Sequence, residues 1–258
     1  MVMKKGQCRF VWIFAILAGG VILFLAIWGA MNFGDSVRYQ GDTAAARSFT
    51  TLTDPLQAGF SDGSFSKIYF SQETLLRNIC LDDGTFGKND ISVATRSGIG
   101  EEWNCPAGAT SVHNKYIFCE EDNYGFDFYV FSKPFEFPYK ISDLIFVSSK
   151  HYCFLNAPDV IKDEVLGLNI ENIAIGNCNS TDVRVCFGGS GDCDVVVYGS
   201  CHGDCDSVYD YGVVSKGNSE LRYAGSLIWG AIVSDKSVYD CNVERLMYRS
   251  KSISDILE

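Results

Sequence analysis

The hydrophobic pattern changes period along the chain. From Phe10 to Phe33 (FVWIFAILAGGVILFLAIWGAMNF) 24 residues carry no charge. At about 1.5 Å rise per residue such a run exceeds the roughly 30 Å hydrocarbon core of a bilayer. It predicts a spanning helix over residues 10–33, because a cleaved secretory signal has a shorter apolar core, about 7 to 15 residues, and a small-residue cleavage site. Beyond it, Val37 to Thr53 shows no strand alternation, and Ala45, Phe49, Leu52 and Leu56 recur at intervals of 4, 3 and 4. That spacing predicts an amphipathic juxtamembrane helix within residues 34–57. Pro55 ends or kinks it, and Gly34 and Gly41 weaken it.

From residue 58 onward, short runs rich in aromatic and β-branched residues alternate with Gly, Asn and Asp turns, which predicts strands. The predicted strands are Lys67–Phe70, Ile91–Thr95, Lys115–Cys119, Phe126–Ser132, Asp143–Ser148, Tyr152–Leu155, Ile173–Ile175, Val183–Phe187, Val195–Tyr198, Tyr211–Ser215 and Arg222–Val233. The last of these includes SLIWGAIV, Ser226 to Val233, too short to span a membrane and read as a buried strand. Pro158 to Leu168 switches to a helical period, with Val160, Ile161, Val165 and Leu168 on one face. The C-terminus is helical again. Ser237 and Asp240 suggest an N-terminal cap, and Tyr239, Val243, Leu246, Ser250, Ile253 and Leu257 form a stripe that docks on the domain's own core or on a partner helix. No repeat or low-complexity linker divides residues 58–258. The expected fold class is α+β: a membrane helix, an amphipathic extension, and a disulfide-rich, mainly antiparallel domain with a short helix near 158–168 and a C-terminal helix.

Charge adds a direction. Lys4, Lys5 and Arg9 lie in the basic leader 1–9, whereas the first charge after the apolar run is Asp35. Positive residues stay in the cytoplasm, so the large C-terminal part is expected outside the cell membrane. Of 21 basic and 32 acidic residues, 18 and 31 lie beyond residue 35, leaving that part near −13. Such a field repels phosphate backbones and argues against a nucleic-acid partner.

Cysteine usage agrees with that compartment. Cys8 precedes the span, and ten cysteines follow it: Cys80, Cys105, Cys119, Cys153, Cys178, Cys186, Cys193, Cys201, Cys205 and Cys241. An even number in an exported domain reads as a framework of up to five disulfides. Proximity in sequence suggests Cys105 with Cys119 and one pair among Cys193, Cys201 and Cys205. Cys153, on an apolar strand, could reach Cys241 on the last helix.

Val185 to Gly212 (VCFGGSGDCDVVVYGSCHGDCDSVYDYG) concentrates the candidate chemistry. Cys186, Cys193, Cys201 and Cys205 lack zinc-ligand spacing. Calcium is the better metal reading, since Asp192, Asp194, Asp204, Asp206 and Asp210 supply hard oxygens, but the spacing does not match known calcium loops. A phosphate loop fails because a strand, not a helix, follows Gly191. The elbow G-x-S-x-G fails because Asp192 stands where the last Gly belongs after Ser190. The stretch therefore reads as a disulfide-tied hairpin of Val183–Phe187 with Val195–Tyr198. Elsewhere, His113, His151 and His202 are the chain's three histidines, and Glu101 with Glu102, or Glu120 with Glu121 and Asp122, read as solvated turns. Nothing assembles into an enzyme signature, so no catalytic residue and no obligatory cofactor are expected. Asn179-Ser180-Thr181 is an N-glycosylation sequon in a polar turn.

The N-terminal MKKGQ, Met3 to Gln7, directly before an unbroken apolar helix, resembles the class III signal peptide of archaeal type IV pilin-like proteins. The resemblance covers about 30 of the 258 residues. It implies cleavage between Gly6 and Gln7, and a helix that both anchors the protein in the bilayer and packs against other pilin-like or envelope subunits. Family members usually carry a Glu at the fifth mature position, where this chain has Val11, so the resemblance implies a minor pilin-like subunit or anchored surface protein. The expected function is thus a non-enzymatic, single-pass surface protein. The alternative is an anchored binding module, an adhesin or receptor, using the acidic loop and calcium.

Overall fold

A computed structural model describes residues 12–29, 46, 64–96, 103, 108–189, 191–200 and 209–257. The chain divides into two units, Met1–Gly41 and Asp42–Glu258. In the first, helix α1 runs from Trp12 to Gly29 with a mean hydropathy of 2.3, and none of it is buried. Its large apolar side chains are 53–74% exposed. Apolar on every side and unburied, the helix is long enough to cross a bilayer by length and composition.

The second unit is α+β. One six-stranded sheet, A, is built from β1 (Ser64–Leu81), β2 (Lys88–Arg96), β3 (Thr110–His113), β4 (Tyr116–Phe118), β5 (Asp122–Glu136) and β6 (Lys140–Ser148) in the order β3-β2-β1-β5-β6-β4. It is antiparallel except where β4 runs parallel to β6. A second, B, holds β7 (Tyr152–Leu155), β8 (Ile173–Ile175), β9 (Val183–Phe187), β10 (Val195–Ser200), β11 (Tyr211–Lys216) and β12 (Ser219–Ala224) in the order β12-β11-β10-β9-β7-β8. Besides the helical Ala46, its described helices are α2 (Asp159–Gly167), α3 (Leu227–Val233) and α4 (Lys236–Leu257).

Both faces of sheet A are buried, which explains its near-continuous apolar strands. Phe131, Phe135, Leu144 and Phe146 enter a core shared with sheet B, α3 and α4, while Phe128, Val130, Ile145 and Val147 form a second cluster on the other face. That second cluster includes Ala46, which is helical and fully buried. Ala46 is the one described residue of the expected juxtamembrane helix; Ala45, Phe49, Leu52 and Leu56 lie outside the described residues.

Several expectations are corrected. The run Leu227–Val233 is a helix, not the end of a strand, and all seven of its residues are buried. A short apolar run has no periodicity to separate buried strand from buried helix. Trp229 lies 5.3 Å from Phe131 of sheet A and 5.8 Å from Phe154 of sheet B, measured between ring centroids, and its Nε1–H donates to Glu164 of α2 at 2.6 Å. Gly230 is required there, because a Cβ would sit 2.6 Å from the Phe118 ring.

The predicted hairpin of β9 and β10 is also overturned: the two strands are parallel, Val185 opposite Val195. A parallel return normally takes a dozen or more residues. Here it is made within residues 188–194, where Gly188, Gly189 and Gly191 adopt positive φ and Cys186–Cys193 closes the loop. With β10-β9-β7-β8 all parallel, sheet B is mixed rather than mainly antiparallel. On α2, Ile161 and Val165 are buried, but Val160 is 54% exposed and does not share their face. The C-terminal helix begins at Lys236, so Ser237 lies inside its first turn rather than capping it. Its stripe docks on the domain's own core, with Tyr239 and Leu246 buried and Val243 and Ile253 packed against the cluster.

Candidate functional site

The cysteines pair differently from the proximity reading. Among the described residues the bonds are Cys80–Cys241, Cys153–Cys178 and Cys186–Cys193. Cys153 therefore does not reach Cys241, because β7 lies beside β8 and the turn after it, while Cys241 faces the end of β1. Cys193 pairs back across the glycine loop instead of forward to Cys201 or Cys205. Cys119 does not pair with Cys105: it is a free, fully buried thiol whose pKa is pushed up to about 12 by burial, and it accepts a hydrogen bond from Asn78 Nδ2 at 3.3 Å. Such a thiol is unreactive. Cys105, Cys201 and Cys205 lie outside the described residues, as do Gly6, Gln7, Ser190, His202, Glu101 and Glu102.

The aspartate-rich loop divides its charges. Arg184 Nη1 donates to the fully exposed Asp192 at 3.1 Å, and the Arg184 backbone N–H donates to Asp194 Oδ2 at 2.8 Å. Asp210 uses its backbone carbonyl to accept the Gly225 N–H at 2.6 Å. Asp204 and Asp206 lie outside the described residues. Among the described residues no group of three or more His, Cys, Asp or Glu is placed to hold a metal ion.

The acidic run 120–122 is not merely solvated. Glu120 pairs with Lys150, and Asp122 receives Arg77 in a fork at 2.5 and 2.9 Å. Asp235 accepts the Glu121 N–H at 2.8 Å. His151 Nε2 meets the Tyr129 hydroxyl at 3.2 Å, and His113 is exposed on β3. A cleft of about 260 Å³ between Phe135, Phe137, Leu227, Val243 and Met247 has Arg222 as its charged lining residue. Its described lining residues are mostly apolar, so it offers an apolar surface.

Two polar features escape the sequence reading. The first is a buried network on the inner side of α4. The Arg245 guanidinium, fully buried, donates to the Phe86 carbonyl at 2.7 Å, the Lys115 carbonyl at 3.1 Å, Asn89 Oδ1 at 2.5 Å and Asn242 Oδ1 at 2.9 Å. It also lies 5.1 Å from the centre of the Tyr116 ring. Asn242 and Asn78 both donate to the Ile117 carbonyl, and Asn89 donates to Asn78. The signal was the pair Asn242 and Arg245 set between the apolar stripe positions 239, 243 and 246.

The second feature is Lys216, whose ammonium donates to the Ile232 and Ser234 carbonyls at the end of α3. A cation is favoured at a helix C-terminus. Burial nevertheless lowers its pKa to about 8; the charges of Asp235 and Glu120 oppose the shift, and that of Lys150 adds to it. The unfolded chain keeps this proton to about pH 10.4. Between these values the unfolded state binds more protons at this lysine, so the Lys216 contribution to stability rises with pH across that window. Above about pH 10 the buried Tyr152, Tyr223 and Tyr239, whose pKa values burial raises, reverse the trend. From about pH 8.5 the Cys119 thiol, held up to about 12 by burial, acts in the opposite sense, so urea midpoints measured from pH 8 to 10 are expected to fall more steeply with pH in Lys216→Met than in the natural chain. Equal slopes in the two proteins would show that the ammonium is not desolvated.

The Lys216 contacts tie the end of α3 to sheet B and the Arg245 contacts tie α4 to sheet A, and among the described residues α1 carries an extended unburied apolar surface. No family model, no curated protein and no solved structure matches this chain.

Proposed function

We propose that the chain is a single-pass membrane-anchored surface protein with its N-terminus in the cytoplasm. Its disulfide-stapled domain stands outside and acts as a pilin-like or envelope-assembly subunit. The observation that carries this reading is α1, apolar on all sides from Trp12 to Gly29 and with none of it buried. In water such a helix would expose a surface that soluble chains do not leave uncovered, whereas lipid or a neighbouring apolar helix satisfies it. Trp12 and Trp28, 16 residues apart, stand roughly 24 Å apart along the axis and match the aromatic belts of a span. The three disulfides suit an oxidising exterior. Ala46, helical and buried on sheet A, fits a helical extension lying on the domain, the form that the resemblance to pilin-like proteins implies.

Membrane fractionation followed by N-terminal sequencing tests this. The protein is expected in the alkali-resistant membrane fraction with Gln7 as its first residue, and Gly6→Val is expected to retain the leader. Recovery in the soluble fraction would reject the span. An intact Met1 on the membrane-embedded natural protein would reject pilin-type processing while leaving the anchor.

A further inference from the structure

We propose that Asn179 carries an N-linked glycan, an inference that rests on the domain standing outside the membrane. Asn179-Ser180-Thr181 is the chain's single Asn-x-Ser/Thr sequon: no other asparagine is followed two residues later by Ser or Thr. All three residues are exposed, in the turn that joins β8 to β9. The turn is fixed by two bonds to Asp182: the Asn179 N–H donates to the Asp182 carboxylate Oδ2 at 2.8 Å, and the Asn179 carbonyl accepts the Asp182 N–H at 3.3 Å. Neither bond engages the carboxamide. Cys178, the preceding residue, is bonded to Cys153. Disulfide formation and N-glycosylation both belong to exported domains, so the same turn carries two marks of one compartment.

The donor is a polyprenyl phosphate- or pyrophosphate-linked oligosaccharide, used by a membrane transferase. Asn179 Nδ2 attacks C1 of the first sugar, the N–C1 bond forms, and the C1–O bond to the lipid phosphate breaks. One amide proton passes to a base of the transferase, and the lipid phosphate or pyrophosphate leaves. The glycan is anchored four residues past the end of β8, which closes sheet B as an edge strand. An edge strand presents unpaired backbone groups, and a bulky hydrophilic chain beside it hinders pairing with another copy.

Mass mapping of the full-length protein purified from its own membranes tests the assignment. The tryptic peptide ending at Arg184 is expected to carry hexose or N-acetylhexosamine increments. These disappear in Asn179→Gln and Thr181→Ala and persist in Thr181→Ser. An unmodified peptide in protein whose three disulfides are intact would overturn the glycan and leave the topology standing. An unmodified peptide together with free thiols at those six cysteines would overturn the external placement and the glycan together. Increments that survive Asn179→Gln would place the sugar elsewhere and reject Asn179.

Discussion

Replacing Cys80 and Cys241 together by alanine is expected to cost about 5 kcal/mol of stability, the largest loss among the three disulfides. The bond closes a loop with a sequence separation of 161. In the chain-entropy account the stabilisation grows with the logarithm of loop length, which gives about 5 kcal/mol for this loop and about 2 kcal/mol for the short loop of Cys186–Cys193. The bond also meets the Arg245 network, with Cys80 Sγ 3.7 Å from Arg245 Nη1, so its removal loosens donors as well as the chain. Urea unfolding of the solubilised full-length chain, followed by the fluorescence of the buried Trp229, measures the difference. A midpoint that falls no further than in the Cys186→Ala, Cys193→Ala variant would show that the entropic account fails here.

Arg245→Ala is expected to cost about 4 kcal/mol. Truncation leaves the Phe86 and Lys115 carbonyls and the side-chain oxygens of Asn89 and Asn242 without this donor inside the fold. Each buried acceptor left unsatisfied costs roughly 1 to 3 kcal/mol, with some recovered by relaxation. Arg245→Lys is informative because it keeps the charge and most of the stem but not the planar fork; one ammonium cannot serve four acceptors in these directions, and about half of the loss is expected to remain. A loss below about 1 kcal/mol for the alanine variant would mean that water replaces the guanidinium and that the network is not a structural keystone.

The strands were legible wherever aromatic and β-branched residues alternate between turns: Tyr152–Leu155, Ile173–Ile175 and Val183–Phe187 appear with the bounds their sequence suggests. Strand β1 was seen only as Lys67–Phe70, because Ser71, Gln72 and Glu73 interrupt the pattern at the register shift between Tyr69 and Thr74. Beyond the shift, Leu75 and Leu76 are both buried, since sheet A is covered on both sides and alternation no longer marks a face. Helix α3 was missed for a related reason: buried all round, it has no polar side to reveal its period. Cysteine pairing depends on which strands and helices meet, and local spacing does not contain that information. Arg245 and Lys216 were illegible as sites because two of the Arg245 acceptors and both of those of Lys216 are backbone carbonyls, which no residue type announces.

The clamp between β1 and α4 also sets how the domain bears mechanical load. A chain held at its N-terminal end and pulled through its C-terminal helix would receive tension at Cys80 and pass it across the disulfide to Cys241. The chain between those two residues, which includes all of sheet B and the wedge around Trp229, is a covalently closed loop outside the path of the force. Only the segments before Cys80 and after Cys241 can be drawn out, so tension falls on β1, held between β2 and β5, and on the turn of α4 that carries Arg245, while the closed loop between the two cysteines bears none of it.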